Sequence, residues 1–348
     1  MRLPSKRLIS TPVLLTVLAN CLSGAAQEAK REFRATAGPP ISGKKSPSVQ
    51  LLDQVMLKHM EKIGCSSATL AISYRRRLVH SRGYGWVDQD KKIPTQRDTL
   101  IGIASCEKPI TAAAIHQLAR RRVLKLDDKI FPLLGIRPRG EVVDSRMSQI
   151  SVRNLLEHKA GWQGEPIDSA MRAARASGET DPLSIEVVLG FLMTQRLSSD
   201  PGTKYEYCNF CYDTLRHVIL KTSKKTAVDY FRTELLRPFG IDATKGFASP
   251  DVRRNQGGLS IVWNDGGGGP VSASSPTLCR FMQCFWLTGE PRDESNPTWV
   301  MYGSLPSSTA LMLWRSDGIN VAAVFNGRGD DSHDQIKKDL DVVIDRLK

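Results

Sequence analysis

Past residue 25 the chain has no apolar run approaching the roughly 20 residues that a membrane-spanning helix needs, so no transmembrane span is expected there. Cysteine is sparse: seven in 348 residues, with Cys65, Cys106, Cys208, Cys211, Cys279 and Cys284 lying beyond residue 26. Cys208 and Cys211 lack the accompanying His or Cys pair of a zinc site, so no metal is expected. Acidic residues are fewer than basic ones, 36 against 49, for a net charge of +13. No long basic block goes with that charge. Arginines cluster only as Arg75-Arg76-Arg77 and Arg120-Arg121-Arg122, which suit solvated turns and helix ends better than nucleic acid. The net charge favours anionic surroundings such as cell-wall material or membrane surfaces. No internal repeat is found.

What is present fits one large globular domain or two small ones, 41% hydrophobic and 24% charged, long enough to bury a sizeable core. Arg2, Lys6 and Arg7 precede an apolar run from Leu8 to Leu22, and Ser23-Gly24-Ala25-Ala26 follow. Residues 1–26 therefore read as a signal peptide, and an exported protein, periplasmic or secreted, is expected. Leu18-Ala19-Asn20-Cys21 resembles a bacterial lipoprotein signal, but Asn20 stands where a small residue is usual. Lipid anchoring at Cys21 therefore ranks below simple secretion. Residues 27–48, rich in Gly, Pro, Ser and Lys, read as a flexible lead-in. Residues 49–348 are left as the folded domain. Six cysteines in an exported chain permit 15 disulfide pairings, and spacing alone chooses none.

Leu51, Leu52, Val55, Met56, Met60 and Ile63 fall near helical spacing and predict a helix over 49–63. Ser67 to Tyr74 and Arg77 to Gly83 predict a hairpin. Residues 110–245 read as mostly helical, and a glycine loop, Gly266-Gly267-Gly268-Gly269, follows. A helix over 275–287, strands over 308–314 and 319–325, and a closing helix over 334–347 complete the chain. Strands, then helices, then strands imply an α/β (α+β) fold whose antiparallel sheet is built from both chain ends and flanked by helices, with a helical subdomain inserted.

Ser105-Cys106-Glu107-Lys108 is the pattern that carries chemistry. Pro109 is tolerated in a first helical turn and Ala112-Ala113-Ala114 favours helix beyond it. Residues three apart on a helix share a face, so the Ser105 hydroxyl can meet the Lys108 amine. Lysine can then act as the base that activates a serine. Alone, Ser-x-x-Lys is common, and a capping serine with a surface lysine explains it equally well.

Other segments add to it in order. Gly83-Tyr84-Gly85 precedes the serine and Leu126-Asp127-Asp128 follows its helix. Ser151-Val152-Arg153-Asn154-Leu155-Leu156-Glu157-His158-Lys159-Ala160-Gly161-Trp162, the segment from Pro201-Gly202-Thr203 to Tyr207-Cys208-Asn209, and the run from Pro270 to Met282 complete the set. Together these resemble the serine β-lactamase and penicillin-binding-protein superfamily, in its class C-like branch of esterases, D-peptidases and β-lactamase-related proteins. The resemblance covers nearly all of residues 50–348 and implies the β-lactamase/transpeptidase-like fold. It implies Ser105 as nucleophile, Lys108 as its base, Tyr207 as the group passing protons to the leaving group, and Asn209 as holding Lys108 or the substrate carbonyl. The backbone N–H groups of Ser105 and Ser304 would form the oxyanion hole. No cofactor is implied.

One segment departs from the pattern. Where the superfamily has Lys-Thr-Gly or His-x-Gly, the aligned strand reads Met301-Tyr302-Gly303-Ser304. Met301 removes the usual partner of a substrate carboxylate, a charge-assisted bond worth roughly 1.5–3 kcal/mol. Small-molecule carboxylic esters are therefore the expected substrates, ahead of D-amino-acid amides, peptides or β-lactams. The alternative is a catalytically impaired binding protein on the same fold. Cys106 and Cys208 flank the expected site, and a Cys106–Cys208 bond, a Cys208–Cys211 bond and packing as small hydrophobes all remain open. His158 is expected to be a hydrogen-bonded structural histidine.

Overall fold

Alternation of side chains along three apolar strands explains the centre of the molecule. The computed structural model describes residues 38–44, 50–90, 92–180, 183–249, 261–262, 271–293, 295–329 and 332–347. The predicted leader, most of the lead-in and the four-glycine loop lie outside the described residues. The chain divides into two units, 1–40 and 41–348; the second holds all the elements below.

The elements that position the site are β1 (Ile41–Ser42), α1 (Gln50–Lys62), β2 (Ser67–Tyr74), β3 (Arg77–Asp88), β4 (Ile93–Pro94), β5 (Ile101–Gly102) and α2 (Lys108–Arg120). They continue with α3 (Val152–Leu156), α4 (Asn209–Ser223), α5 (Ser275–Cys284), β6 (Trp299–Leu305), β7 (Ser308–Trp314), β8 (Ile319–Phe325) and α6 (Ser332–Arg346). The main sheet runs β1-β3-β2-β8-β7-β6 with β4 beside β3, antiparallel throughout. β2 and β8, from opposite ends of the chain, pair from Ile319↔Tyr74 to Phe325↔Ala68. The sheet is thus assembled from both chain ends, as the order of elements implies.

Leu70, Leu311, Leu313, Val321 and Phe325 point to one face, where Leu52 and Met56 of α1 and Leu340 and Ile344 of α6 cover them. Ala71, Met312, Trp314, Ala322 and Val324 point to the other and meet α5 and the helical subdomain. A sheet covered on both faces favours apolar residues on both sides of each strand, and β7 and β8 are buried along their whole length, with only Ser308, Thr309 and Asn320 polar. Each fully buried Leu, Ile or Phe contributes about 1.5–3 kcal/mol. Leu51, placed on the apolar stripe by spacing, is instead exposed at 41%. A buried Asp53–Arg82 ion pair, joined by the Tyr84 hydroxyl at 3.0 Å, ties α1 to β3.

Part of the predicted lead-in is structured. Ile41 and Ser42 pair with Tyr84 and Gly83, and Ser42 Oγ donates to Thr95 O at 2.7 Å. Gly85 takes φ +76°, and a Cβ there would lie 2.1 Å from Ser66 O, so the bend of β3 requires glycine.

Candidate active site

Ser105 sits on a 3-10 turn, Ala104–Glu107, that runs into α2 at Lys108. The sequence places Ser105 at the start of a helical segment, and the structure makes that start a 3-10 turn. Three residues per turn set positions i and i+3 directly above one another, so the 3-10 turn aligns Ser105 with Lys108 more closely than an α-helix would. Lys108 Nζ donates to Ser105 Oγ at 3.2 Å. The turn opens with Ala104 at φ +48°, a left-handed conformation that alanine adopts only under compulsion. Pro109 and the buried run Ile110–Ile115 then pack α2 against α4.

The second wall comes from the start of α4. Tyr207 Oη lies 2.9 Å from Ser105 Oγ, and Lys108 Nζ donates to Asn209 Oδ1 at 2.8 Å. The same Nζ lies 4.9 Å from the Tyr207 ring centroid and 5.6 Å from that of Tyr212, within cation–π range. Lys108 is thereby held by two hydrogen bonds and two aromatic faces while only 9% exposed.

Two further residues hold this wall in place. Glu165 accepts from Asn209 N and Asn209 Nδ2, each at 2.7 Å, and from Phe210 N at 3.2 Å. Its carboxylate caps the positive end of α4 and fixes the Asn209 amide so that Oδ1 faces Lys108. Nothing in the sequence marked Glu165, which lies 44 residues before Asn209 and outside any motif. His158 accepts from Cys208 N at Nδ1, 3.1 Å away, and stacks on Tyr207 with centroids 4.7 Å apart and planes at 28°. Burial first and the Lys108 charge second lower its pKa to about 4, so it is neutral, as its acceptor role requires. It is hydrogen-bonded, as expected, and it also supports the Tyr207 ring.

The third wall is β6. Met301 faces the helical side of the sheet, while Val300 and Tyr302 face α6, where Tyr302 Oη donates to Asp334 at 2.9 Å. A Cβ on Gly303 would stand 2.1 Å from Ile103 O and 3.1 Å from Cys106 N, so only glycine lets the strand approach the serine turn. Ser304 follows it on the strand. Cys106 Sγ, fully buried, donates to Met301 O at 3.4 Å and locks turn to strand. Burial pushes the Cys106 thiol well above its usual range, which disfavours the thiolate that a nucleophile needs.

The six cysteines of the described residues are all unpaired thiols. Cys208 Sγ accepts from Cys211 N at 3.2 Å as a helix cap, so neither candidate disulfide forms. Lys221-Thr222-Ser223 ends α4, with its hydroxyls bonded to helix carbonyls. Among the described residues, no group of His, Cys, Asp or Glu could hold a metal ion, and no helix is long and apolar enough to cross a membrane.

Beside Lys108 and Tyr207 opens a cleft of about 590 Å³ that reaches His116 along α2 and Trp299 on β6.

Similarity to known proteins agrees with this architecture. Protein flp of Staphylococcus aureus (strain N315) is 26% identical over 200 residues, 57% of this chain but 38% of that protein. Penicillin-binding protein 4* of Bacillus subtilis (strain 168) is 24% identical over 177 residues, 48% of this chain and 35% of that protein. The chain thus spans little more than a third of the length of these curated relatives. Among solved structures, the octameric penicillin-binding protein homologue from Pyrococcus abyssi superposes with TM-score 0.61 at 18% identity, over 85% of this chain and 77% of that one. EstCE1, described as a hydrolase with promiscuous acyltransferase activity, gives TM-score 0.60 at 15% identity over 85% and 98%. The D-amino acid amidase from Ochrobactrum anthropi SV3 gives TM-score 0.60 at 17% identity over 87% and 98%. At these identities the structural likeness speaks for the fold alone. The Beta-lactamase family model matches residues 52–334, and on that match the chain belongs to the β-lactamase family, within the serine β-lactamase and penicillin-binding-protein superfamily.

Proposed function

We propose that this β-lactamase-fold chain is a serine hydrolase that cleaves carboxylic esters by acyl transfer. One observation carries the reading: Lys108 Nζ and Tyr207 Oη converge on Ser105 Oγ at 3.2 and 2.9 Å. Ser105 Oγ attacks the ester carbonyl and its proton passes to Lys108. The new Oγ–C bond gives a tetrahedral oxyanion, held by the N–H groups of Ser105 and Ser304. Collapse breaks the C–O bond to the alcohol, and Tyr207, recharged by Lys108, protonates the departing oxygen. Water then adds to the acyl-enzyme with the same groups acting in reverse, and the acid is released.

Met301 favours neutral esters over substrates with a carboxylate, because no cation stands at its position on β6. The same residue favours a second reading, a binding protein whose serine acylates but turns over slowly. Hydrolysis of p-nitrophenyl butyrate by the wild type beside its Ser105→Ala variant separates the two. Turnover lost in the variant supports the esterase. A butyryl adduct on Ser105 that persists, seen by mass spectrometry, supports the binding protein. Equal rates in both chains refute serine chemistry altogether. The leader-like segment over 1–26 supports export, and sequencing the N-terminus of secreted material tests it.

A further inference from the structure

The 590 Å³ cleft is lined by Lys108 and Tyr207, whereas Ser105 lies outside its lining. A general acid must sit within hydrogen-bond reach of the oxygen it protonates. The cleft therefore lies on the side of the serine where the leaving group departs.

Its walls are mostly apolar. Met301, Trp299, Tyr205, Leu126, Leu156 and Leu287 are among its lining residues. Five aromatic side chains are exposed among the described residues, and three of them line this cleft: Tyr205 at 62%, Trp299 at 51% and Tyr207 at 42%. Clustering of exposed aromatics in one concavity marks a surface built for an apolar occupant. Along α2 the cleft runs from Lys108 to His116, two turns of helix or about 12 Å.

Its charged lining is balanced, with Lys108 and Arg153 against Glu157 and Glu290. Each of these groups already has a partner within the protein. Glu290 lies 2.8 Å from His116 Nδ1 and 3.2 Å from Arg120, and Arg153 bonds Asp127 at 2.9 Å. Glu157 pairs with Lys159 at 3.1 Å, and Lys108 is committed to Ser105 and Asn209. Among the described residues lining the cleft, every charged side chain is already paired within the protein.

We infer that this cleft selects the alcohol half of the substrate, and that the alcohol is uncharged, apolar and elongated, an alkyl or aryl group. Met301 and Trp299 are its specificity residues. Replacement of a cation by Met301 is then a change of leaving-group class. The inference rests on the hydrolase reading for the position of the leaving group, but the cleft can be tested without turnover.

The test holds the acyl group constant and varies the alcohol, using methyl, hexyl and glycolate butyrates. All three pass through one butyryl-enzyme, so kcat converges wherever deacylation limits and only kcat/KM reports the alcohol. We expect kcat/KM to rise at least about tenfold from methyl to hexyl. Trp299→Ala, a change at an exposed position, should flatten that rise. Met301→Lys should flatten it as well and raise kcat/KM for the carboxylate-bearing glycolate ester by about tenfold. Calorimetric binding of free naphthol, expected for the wild type and lost in Met301→Lys, reads the cleft alone. Ser105-dependent hydrolysis with a flat series and no naphthol binding overturns the inference and leaves the hydrolase standing. Naphthol binding without Ser105-dependent hydrolysis breaks the hydrolase reading and upholds an apolar cleft. Failure of both removes both.

Discussion

Glu165→Gln isolates a device that no motif announced. In the native protein one carboxylate accepts three N–H groups at the start of α4, two of them from Asn209. Glutamine keeps one acceptor oxygen and turns an amide NH2 toward a neighbouring N–H, so at least one bond becomes a repulsion. A hydrogen bond to a charged group is worth about 1.5–3 kcal/mol against about 0.5–1.5 for a neutral one. Glu165 is exposed, so solvent screens it, and a loss near 1 kcal/mol is expected. For a domain of this size that lowers Tm by about 2–4 °C. The larger effect is on activity. Once released from Glu165, the Asn209 amide can flip and present its NH2 to Lys108. One hydrogen bond lost at the base corresponds to about a tenfold fall in kcat/KM for the ester. Asn209→Asp on top of Glu165→Gln separates the two effects. Aspartate offers Lys108 an acceptor however it turns, so activity should recover while Tm stays low. A purely structural cap would leave the double variant as slow as the single one. Full activity in Glu165→Gln would refute the orienting role.

Gly303→Ala should cut kcat by about a hundredfold or more while the circular dichroism spectrum remains native, because the methyl cannot coexist with Ile103 O at 2.1 Å and β6 must retreat from the serine; a variant within threefold of wild type would sink the close-approach argument. Ala104→Gly should raise stability by about 1 kcal/mol in thermal unfolding, since about 1–2 kcal/mol of left-handed strain at φ +48° exceeds the entropy that glycine adds to the unfolded chain. A lower Tm would show that Ala104 is unstrained. Stability should also depend on pH through His158, His59 and His80, each lowered by burial to about 4. The unfolded chain binds protons below about pH 6.5 that the folded chain refuses until about pH 4, so stability is complete above 6.5 and falls with acidification across that window. His158→Gln should make Tm fall less steeply there, and an unchanged slope would contradict the buried neutral assignment.

The parts of the fold legible in the sequence were those fixed by local periodicity. Residues 308–314 and 319–325 emerge as β7 and β8 with those bounds because both faces of each strand are buried and apolar residues dominate each run, with Ser308, Thr309 and Asn320 as its buried polar members. The closing helix and the first hairpin were legible for similar reasons, although β3 runs on to Asp88. Leu51 misled because helical spacing cannot tell the edge of a buried stripe from its flank. The lead-in misled because the pairing of Ile41 and Ser42 depends on β3, more than 40 residues away. At the site, Ser105, Lys108, Tyr207 and Asn209 were nameable through the family resemblance that their motifs carry together, and their meeting point was not. It depends on a 3-10 turn that opens with Ala104 in a left-handed conformation, on Gly303 from the far end of the chain and on Glu165 from a loop. None of these three has a local pattern: each is defined by what packs against it. The same holds for Met301. In the sequence it is only a cation that is missing, whereas in the fold it forms part of a wall shared with Trp299 and Tyr205. Loss of function alone predicts no such wall. A methionine that had merely replaced a lysine would face groups left over from carboxylate recognition, unpaired once their ligand was gone, yet the cations lining this cleft are committed to partners inside the protein. The consistency of the surroundings with Met301 is the physical argument for a changed substrate over a dead site.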